Sequence, residues 1–99
     1  MIIENMLGNV VYSKNGRDKG RMFVVIKIVN DRFVLLADGD LRKVEKPKLK
    51  NIKHLQFTKM KASDVLDYLK NEKIPGNHVI RNNLKRLQEC LEINGKEVW

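Results

Sequence analysis

The fold of this chain is decided by the stretch from Val10 to Val29, VVYSKNGRDKGRMFVVIKIV. It begins with a short apolar run, passes through a polar loop, and ends in a longer run rich in Val, Ile and Phe. Such runs predict β-strands, and Gly16 and Gly20 predict a turn between them. The loop also contains four basic residues, Lys14, Arg17, Lys19 and Arg21. A basic loop on a hairpin is suited to grip a phosphate backbone, so nucleic acid, and RNA before DNA, is the first partner to consider.

Further apolar runs extend the pattern on the C-terminal side, and turn signals at Asn30-Asp31 and Asp38-Gly39 separate them. The five predicted strands are Val10–Ser13, Arg21–Val29, Arg32–Ala37, Leu41–Val44 and Ile52–Thr58. The second strand is apolar on both faces: Val24, Ile26 and Ile28 alternate with Phe23, Val25 and Val29. A strand in a sheet with one face exposed to water would alternate apolar and polar residues, so we expect both faces of this sheet to be covered.

The C-terminal third supplies the expected cover as two helices. Ser63 is a predicted N-cap followed by Asp64 in the first turn, and Pro75-Gly76 interrupts the helical pattern. Asn77 is a second predicted N-cap, ahead of an apolar stripe formed by Ile80, Leu84, Leu87 and Leu91. The predicted fold class is mainly β with α, a small five-stranded barrel over residues 1–58 and a helical C-terminal segment over residues 59–99 packed on it.

The charge of the chain favours a polyanionic partner. Its 99 residues include 20 Lys and Arg against 12 Asp and Glu, a net charge of +8. Nucleic acid, anionic lipid and acidic protein all fit this excess, which steers such partners from a distance. Of the net charge, +6 lies in the part ending at Thr58, where 12 basic residues face 6 acidic ones. We therefore expect the electrostatic footprint in the N-terminal part.

A second basic segment is the connector from Leu41 to Leu55, LRKVEKPKLKNIKHL. Its basic residues are Arg42, Lys43, Lys46, Lys48, Lys50 and Lys53, against the single acid Glu45. In an extended chain Lys46, Lys48 and Lys50 share one side at a spacing of about 6.6 Å, close to a single-strand phosphate repeat. The alternative is an edge strand that lysines protect from aggregation. The loop likewise has an alternative, a solvated turn that keeps the protein dissolved.

Aromatic residues are too few to suggest base reading. Tyr12 is placed to stack beside the loop, whereas Phe23, Phe33 and Phe57 sit in strand patterns and are expected in the core. This favours recognition of folded RNA by shape and phosphates. His54, beside Lys53, either contacts RNA or fills a strand position.

Signs of catalysis are lacking in the sequence. His54 and His78 are isolated, no nucleotide-binding glycine motif stands before a helix, and Cys90 has no companion at ligand spacing. We expect a protein that is not an enzyme, with no cofactor and no metal site, and with Cys90 as a buried thiol. Since no stretch approaches about 18 apolar residues, we expect no membrane partner and a cytoplasmic location.

Three pieces of the sequence resemble a known family: SKNGRDKGRMFVV (Ser13–Val25), LLADGDLRKVEKPKLKNIKHL (Leu35–Leu55) and HVIRNNL (His78–Leu84). The first resembles a KOW motif, a strand, a basic turn ending in glycine and a hydrophobic strand, running here from about Val10 to Asp38 with Gly20 as the motif's glycine. Together they are similar to small bacterial KOW-domain proteins related to a group of archaeal and eukaryotic large-subunit ribosomal proteins.

The resemblance implies an SH3-like barrel that binds RNA, usually ribosomal RNA or the large ribosomal subunit. The residues that it implicates are Ser13, Lys14, Arg17, Lys19, Arg21, Arg42, Lys43, Lys46, Lys48, Lys53 and His54. KOW domains also serve as protein-binding modules. The alternative function is therefore a protein-interaction module of the transcription or translation machinery, with a protein partner on the helical tail or an exposed edge of the barrel.

Overall fold

A five-stranded antiparallel sheet followed by two helices makes up the computed structural model, which describes residues 6–94, with side chains as far as Cys90. The strands are β1 (Asn9–Ser13), β2 (Met22–Ile28), β3 (Phe33–Ala37), β4 (Lys48–Asn51) and β5 (Leu55–Lys61). Their order in the sheet is β4-β3-β2-β1-β5. No ladder joins the edge strands β4 and β5 within the described residues, so the sheet is open.

The first three predicted strands are confirmed, but the predicted strand Leu41–Val44 is wrong. The Asp38 carboxylate accepts hydrogen bonds from the backbone N–H groups of Asp40 and Arg42, both at 2.9 Å. This side-chain turn widens the chain reversal after β3 and removes those N–H groups from strand pairing. Extended pairing resumes only at Lys48, and a 3₁₀ turn over Ile52–His54 comes before β5.

Asn30 organises the β2–β3 connection in a similar way. Its side-chain oxygen accepts from Arg32 N at 2.8 Å and from Phe33 N at 2.9 Å. Within residues 6–94 the only non-glycine residue with positive φ is Glu72, so Asn30 and Asp31 do not form the predicted two-residue turn. The hairpin is longer because the asparagine side chain substitutes for a tight backbone turn.

Both faces of the sheet are buried, as the apolar pattern predicts. One face meets the helices, with Val10 opposite Val24 in the β1–β2 register and both fully buried. The other face forms a second cluster of Val11, Phe23, Val25, Val34, Leu36 and Leu55. Ile28 packs with this second cluster and not on the face of Val24, because the β2–β3 register shifts between Val25 and Lys27.

The two helices are α1 (Ser63–Lys70) and α2 (Asn77–Asn94). Val65 of α1 and Ile80 of α2 are fully buried against the sheet, which confirms the predicted helical cover. The predicted side-chain caps are not formed by Ser63 and Asn77 in their own helices. Instead Asn83 of α2 accepts from Asp64 N at 3.2 Å and Val65 N at 3.5 Å, and Asn77 accepts from Val44 N at 2.8 Å.

Two further expectations concern single features. Cys90 is exposed, so the predicted buried thiol is wrong. Neither helix in residues 6–94 has the length and apolar character needed to cross a membrane.

Candidate nucleic-acid interface

The basic loop over residues 14–21 is a closed turn at the end of the β1–β2 hairpin. Gly20 N donates to Ser13 O at 2.8 Å, and Arg21 N donates to Asp18 O at 2.9 Å. Gly16 and Gly20 have φ of +80° and +85°, a region that strongly favours glycine. Ser13 is buried, and its hydroxyl donates to Asn15 O at 2.9 Å, so it braces the loop from below.

Asp18 is the anchor of the loop. Its side chain is only 10% exposed, and Lys48 of β4 donates a hydrogen bond to its carboxylate. The Arg42 guanidinium lies 3.8 Å from the same oxygen. The hydrogen bond from Lys48, reinforced by the charges of Lys48, Arg42 and Lys50, lowers the pKa of Asp18 below its ordinary value. One buried carboxylate therefore joins the loop to two cations from the connector.

Asn15 makes the second junction between the loop and the connector. Lys50 Nζ donates to its backbone oxygen at 3.1 Å, and its side-chain amide contacts the Nδ1 atom of His54. The backbone is joined here as well, since Lys14 N donates to His54 O at 2.8 Å. His54 therefore supports the loop through its Nδ1 atom and its backbone oxygen. Contact between His54 and RNA stays a prediction.

These junctions bring three cations of the connector, Arg42, Lys48 and Lys50, to the loop that carries Lys14, Arg17 and Lys19. We call the set the basic surface; its members are Lys14, Arg17, Lys19, Arg42, Lys48 and Lys50. Lys14, Arg17 and Lys19 are exposed and form no ion pair within residues 6–94. Lys48 and Lys50 are partly buried and held by the loop. The surface thus combines three free cations with three that are fixed in place.

The other predicted site residues lie elsewhere. Arg21 pairs with Asp38 at 3.0 Å, and Lys53 is exposed on the 3₁₀ turn. Lys43 and Lys46 are exposed in a turn closed by a bond from Lys46 N to Lys43 O at 3.0 Å. Because the extended chain starts only at Lys48, the predicted row of three alternating lysines is reduced to Lys48 and Lys50.

Three aromatic side chains, those of Tyr12, Phe23 and Phe57, pack in the two apolar clusters. Tyr12 packs against the cluster beneath the helices, where burial raises the pKa of its hydroxyl. Phe23 is fully buried, and Phe57 packs on the second cluster. Tyr12 is only partly buried there, and its stacking on a base beside the loop stays a prediction.

Sequence reasoning missed Asp18 and Asn15 as the residues that assemble the surface. The available signal was that Asp18 is the only acid among the basic residues of the loop.

No group of three His, Cys, Asp or Glu residues in the described part of the chain is placed to hold a metal ion. No protein-family model matches the chain, and no curated protein is significantly similar to it.

Proposed function

We propose that this protein is a non-catalytic RNA-binding protein that holds structured RNA, with ribosomal RNA as the expected class. The observation that carries the proposal is the junction at Asp18, which joins the basic loop to Arg42 and to Lys48 of β4. A phosphate backbone is a polyanion that clustered Lys and Arg side chains bind, and phosphate contacts supply much of the affinity of such interfaces.

The two kinds of cation have different roles in this proposal. Lys14, Arg17 and Lys19 project from the loop and adjust to phosphates of varying position. Lys48 and Lys50 are pre-positioned by the loop, so they lose less side-chain entropy on binding. Since Tyr12, Phe23 and Phe57 pack in the two apolar clusters, we expect recognition to depend on the shape and backbone of folded RNA rather than on stacked bases.

The fold relationship is part of the proposal. The order β4-β3-β2-β1-β5, with a glycine-terminated basic turn between β1 and β2, is the strand arrangement expected of an SH3-like KOW domain. The resemblance of the sequence to KOW-domain proteins extends the proposal to association with the large ribosomal subunit or its assembly. The remaining basic residues of the connector, Lys43, Lys46 and Lys53, then extend the contact beyond the basic surface.

The experiment is crosslinking of the cellular protein followed by RNA sequencing, together with co-sedimentation with ribosomes at low and high salt. Enrichment of ribosomal RNA, with sedimentation that is lost at high salt, is the expected result. Recovery of proteins with no enriched RNA would overturn the proposal.

A second candidate function, a protein-interaction module, is favoured by one observation. A mainly apolar groove of about 200 Å³ lies between the sheet and the α1–α2 connection, lined by Leu35, Val44, Pro47, Leu69 and Ile74 among others. Ile74 is 78% exposed, which is high for a large apolar side chain. Replacing Ile74 by Ser would abolish capture of a protein partner under this candidate and leave RNA binding unchanged under the first.

A further inference from the structure

A cleft of about 370 Å³ lies beside the basic surface, between α2 and the end of the sheet where β2 begins and β3 ends. Its walls are held by a direct contact: Arg81 of α2 donates to Gly39 O at 2.6 Å. A Cβ atom at Gly39 would stand 2.3 Å from Asn77 O, so only glycine lets the turn approach α2 this closely. The turn at Gly39 and α2 are therefore held at a fixed distance, which defines the width of the cleft.

The helical wall of the cleft is cationic. Arg81, Lys85 and Gln88 follow one another at i, i+4 and i+7 and share one side of α2. Arg81 donates one guanidinium N–H to Gly39 O and has further N–H donors for a ligand. Lys85 forms no ion pair within residues 6–94. This wall offers donors to a phosphate group.

The opposite wall offers one unused carboxylate. Asp38 is fully engaged, since it accepts from Arg21, Asp40 N and Arg42 N. Asp40 also lines the cleft and is exposed, and its carboxylate takes part in no hydrogen bond or ion pair in the described part of the chain. Met22 and Leu84 are the large apolar residues that line the cleft.

We propose that this cleft holds one unstacked guanine nucleotide of the bound RNA. The inference rests on the RNA binding proposed above and adds a base preference to it. The phosphate lies on Arg81 and Lys85, the base covers Met22 and Leu84, and Asp40 accepts from the Watson–Crick edge. The volume suits a single nucleotide and excludes a duplex.

The preference for guanine follows from donor counting. Guanine presents two parallel donors, N1–H and the N2 amino group, which match the two oxygens of a carboxylate. Adenine and cytosine present one amino group next to an acceptor nitrogen, and that acceptor faces the second carboxylate oxygen unfavourably. Uracil presents a single N–H between two carbonyl oxygens. A good two-bond match of this kind discriminates by about tenfold in affinity, near the lower end of the range for such pairs because the cleft is open to water.

The first test uses free nucleotides and does not depend on RNA binding. Backbone amide shifts of the isotopically labelled full chain are followed on titration with guanosine 5′-monophosphate and with uridine 5′-monophosphate. Shifts at Gly20, Gly39 and Lys85 that saturate at lower concentration with the guanine nucleotide support the inference. Equal responses to both nucleotides, or shifts confined to Lys14, Arg17 and Lys19, would overturn it.

The second test uses RNA hairpins that carry a single bulged G, A, C or U at constant salt. The hairpin with bulged G is expected to bind about tenfold more tightly, and Asp40→Asn is expected to remove this preference. Asp67→Asn, which removes an exposed carboxylate on α1, is the matched control and should keep it. Hairpins bound equally well whatever the bulge would refute the guanine site alone. Failure to bind any hairpin would refute the proposed function. It would also refute the guanine site, unless free guanosine 5′-monophosphate still binds selectively in the first test.

Discussion

Lys48 donates a hydrogen bond to the buried carboxylate of Asp18, a residue 30 positions earlier in the chain. The contact joins the loop between β1 and β2 to the edge strand β4, and Arg42 approaches the same carboxylate at 3.8 Å. The contact neutralises the charge of one cation and fixes the loop relative to the connector. We expect the loss of one free charge to be outweighed in RNA binding by the fixed position of the loop.

Asp18→Asn tests whether RNA binding depends on the positions of Lys48 and Arg42 or only on the net charge of the surface. The substitution adds one unit of positive charge but weakens the bonds that hold Lys48 and Arg42. We expect the free energy of unfolding to fall by about 1–2 kcal/mol, the usual worth of a charge-assisted hydrogen bond at a partly buried site. RNA affinity is expected to fall severalfold despite the added charge. A filter-binding titration checks this, with Asp67→Asn as the control for charge; tighter binding by Asp18→Asn would show that net charge alone matters.

Gly39 and Gly20 form a matched pair for stability. Both have positive φ, +77° and +85°, but a Cβ at Gly39 would overlap Asn77 O at 2.3 Å, whereas nothing lies within 4 Å of one at Gly20. Gly20→Ala carries only the backbone strain, about 1 kcal/mol. Gly39→Ala must also push the turn away from α2, and we expect a loss of about 3 kcal/mol or more. Denaturant unfolding measures both; equal losses would contradict the close approach of the turn to α2.

Asn83 caps a helix to which it does not belong. It is buried on α2, accepts from Asp64 N and Val65 N of α1, and donates to Asp64 Oδ2 at 2.8 Å. Asn83→Ala leaves two N–H groups at the start of α1 without this partner, so we expect a loss of about 1–2 kcal/mol in unfolding free energy. Asn82→Ala, at the exposed neighbouring position, should change stability by less than about 0.5 kcal/mol. Equal effects at the two positions would rule out the cap.

Acid should destabilise the fold through the carboxylates that the structure holds ionised. The pKa of Asp18 is lowered by Lys48, and that of Asp64 is lowered by Asn83 and Arg86, from the ordinary value of 3.8. A lowered folded pKa means that the unfolded chain binds protons first. The stabilisation is complete well above pH 3.8 and is lost as the pH falls through that value toward the folded pKa. Unfolding curves from pH 7 to pH 2.5 test this; the stability gap between wild type and Asp18→Asn should narrow with acid, and a constant gap would contradict it.

Much of the fold follows from local pattern. The apolar runs around the basic loop became β1 and β2, and Ile80, Leu84 and Leu87 of the predicted stripe pack on the side of α2 that faces the sheet. The side chain of Leu91, the fourth residue of that stripe, lies outside the described part of the structure. The double-sided apolarity of β2 correctly indicated cover on both faces. These features depend on residues close together in the chain, which is why the sequence alone predicts them.

The wrong predictions involve side chains that contact residues far away in the sequence or that replace hydrogen bonds of the backbone. The Asp38 carboxylate turned the expected fourth strand into a wide turn, and the register shift after Val25 moved Ile28 to the other face. For the candidate site, the clustering of charge was visible in the sequence, but its assembly was not. The partners of Asp18 lie 24 to 30 residues away, and no periodic pattern indicates which lysine will reach it.

The most direct measurement of the central claim is the salt dependence of binding to structured RNA. With about five phosphates neutralised, the slope of log affinity against log salt should lie between about −3.5 and −4.5. The triple variant Lys14→Gln, Arg17→Gln, Lys19→Gln should flatten the slope by about 2 to 3. The matched triple Lys59→Gln, Lys70→Gln, Lys73→Gln removes the same charge from exposed positions elsewhere and should leave the slope unchanged. Binding by the wild type that does not depend on salt, or equal flattening by both triples, would contradict the claim that the basic surface holds the RNA.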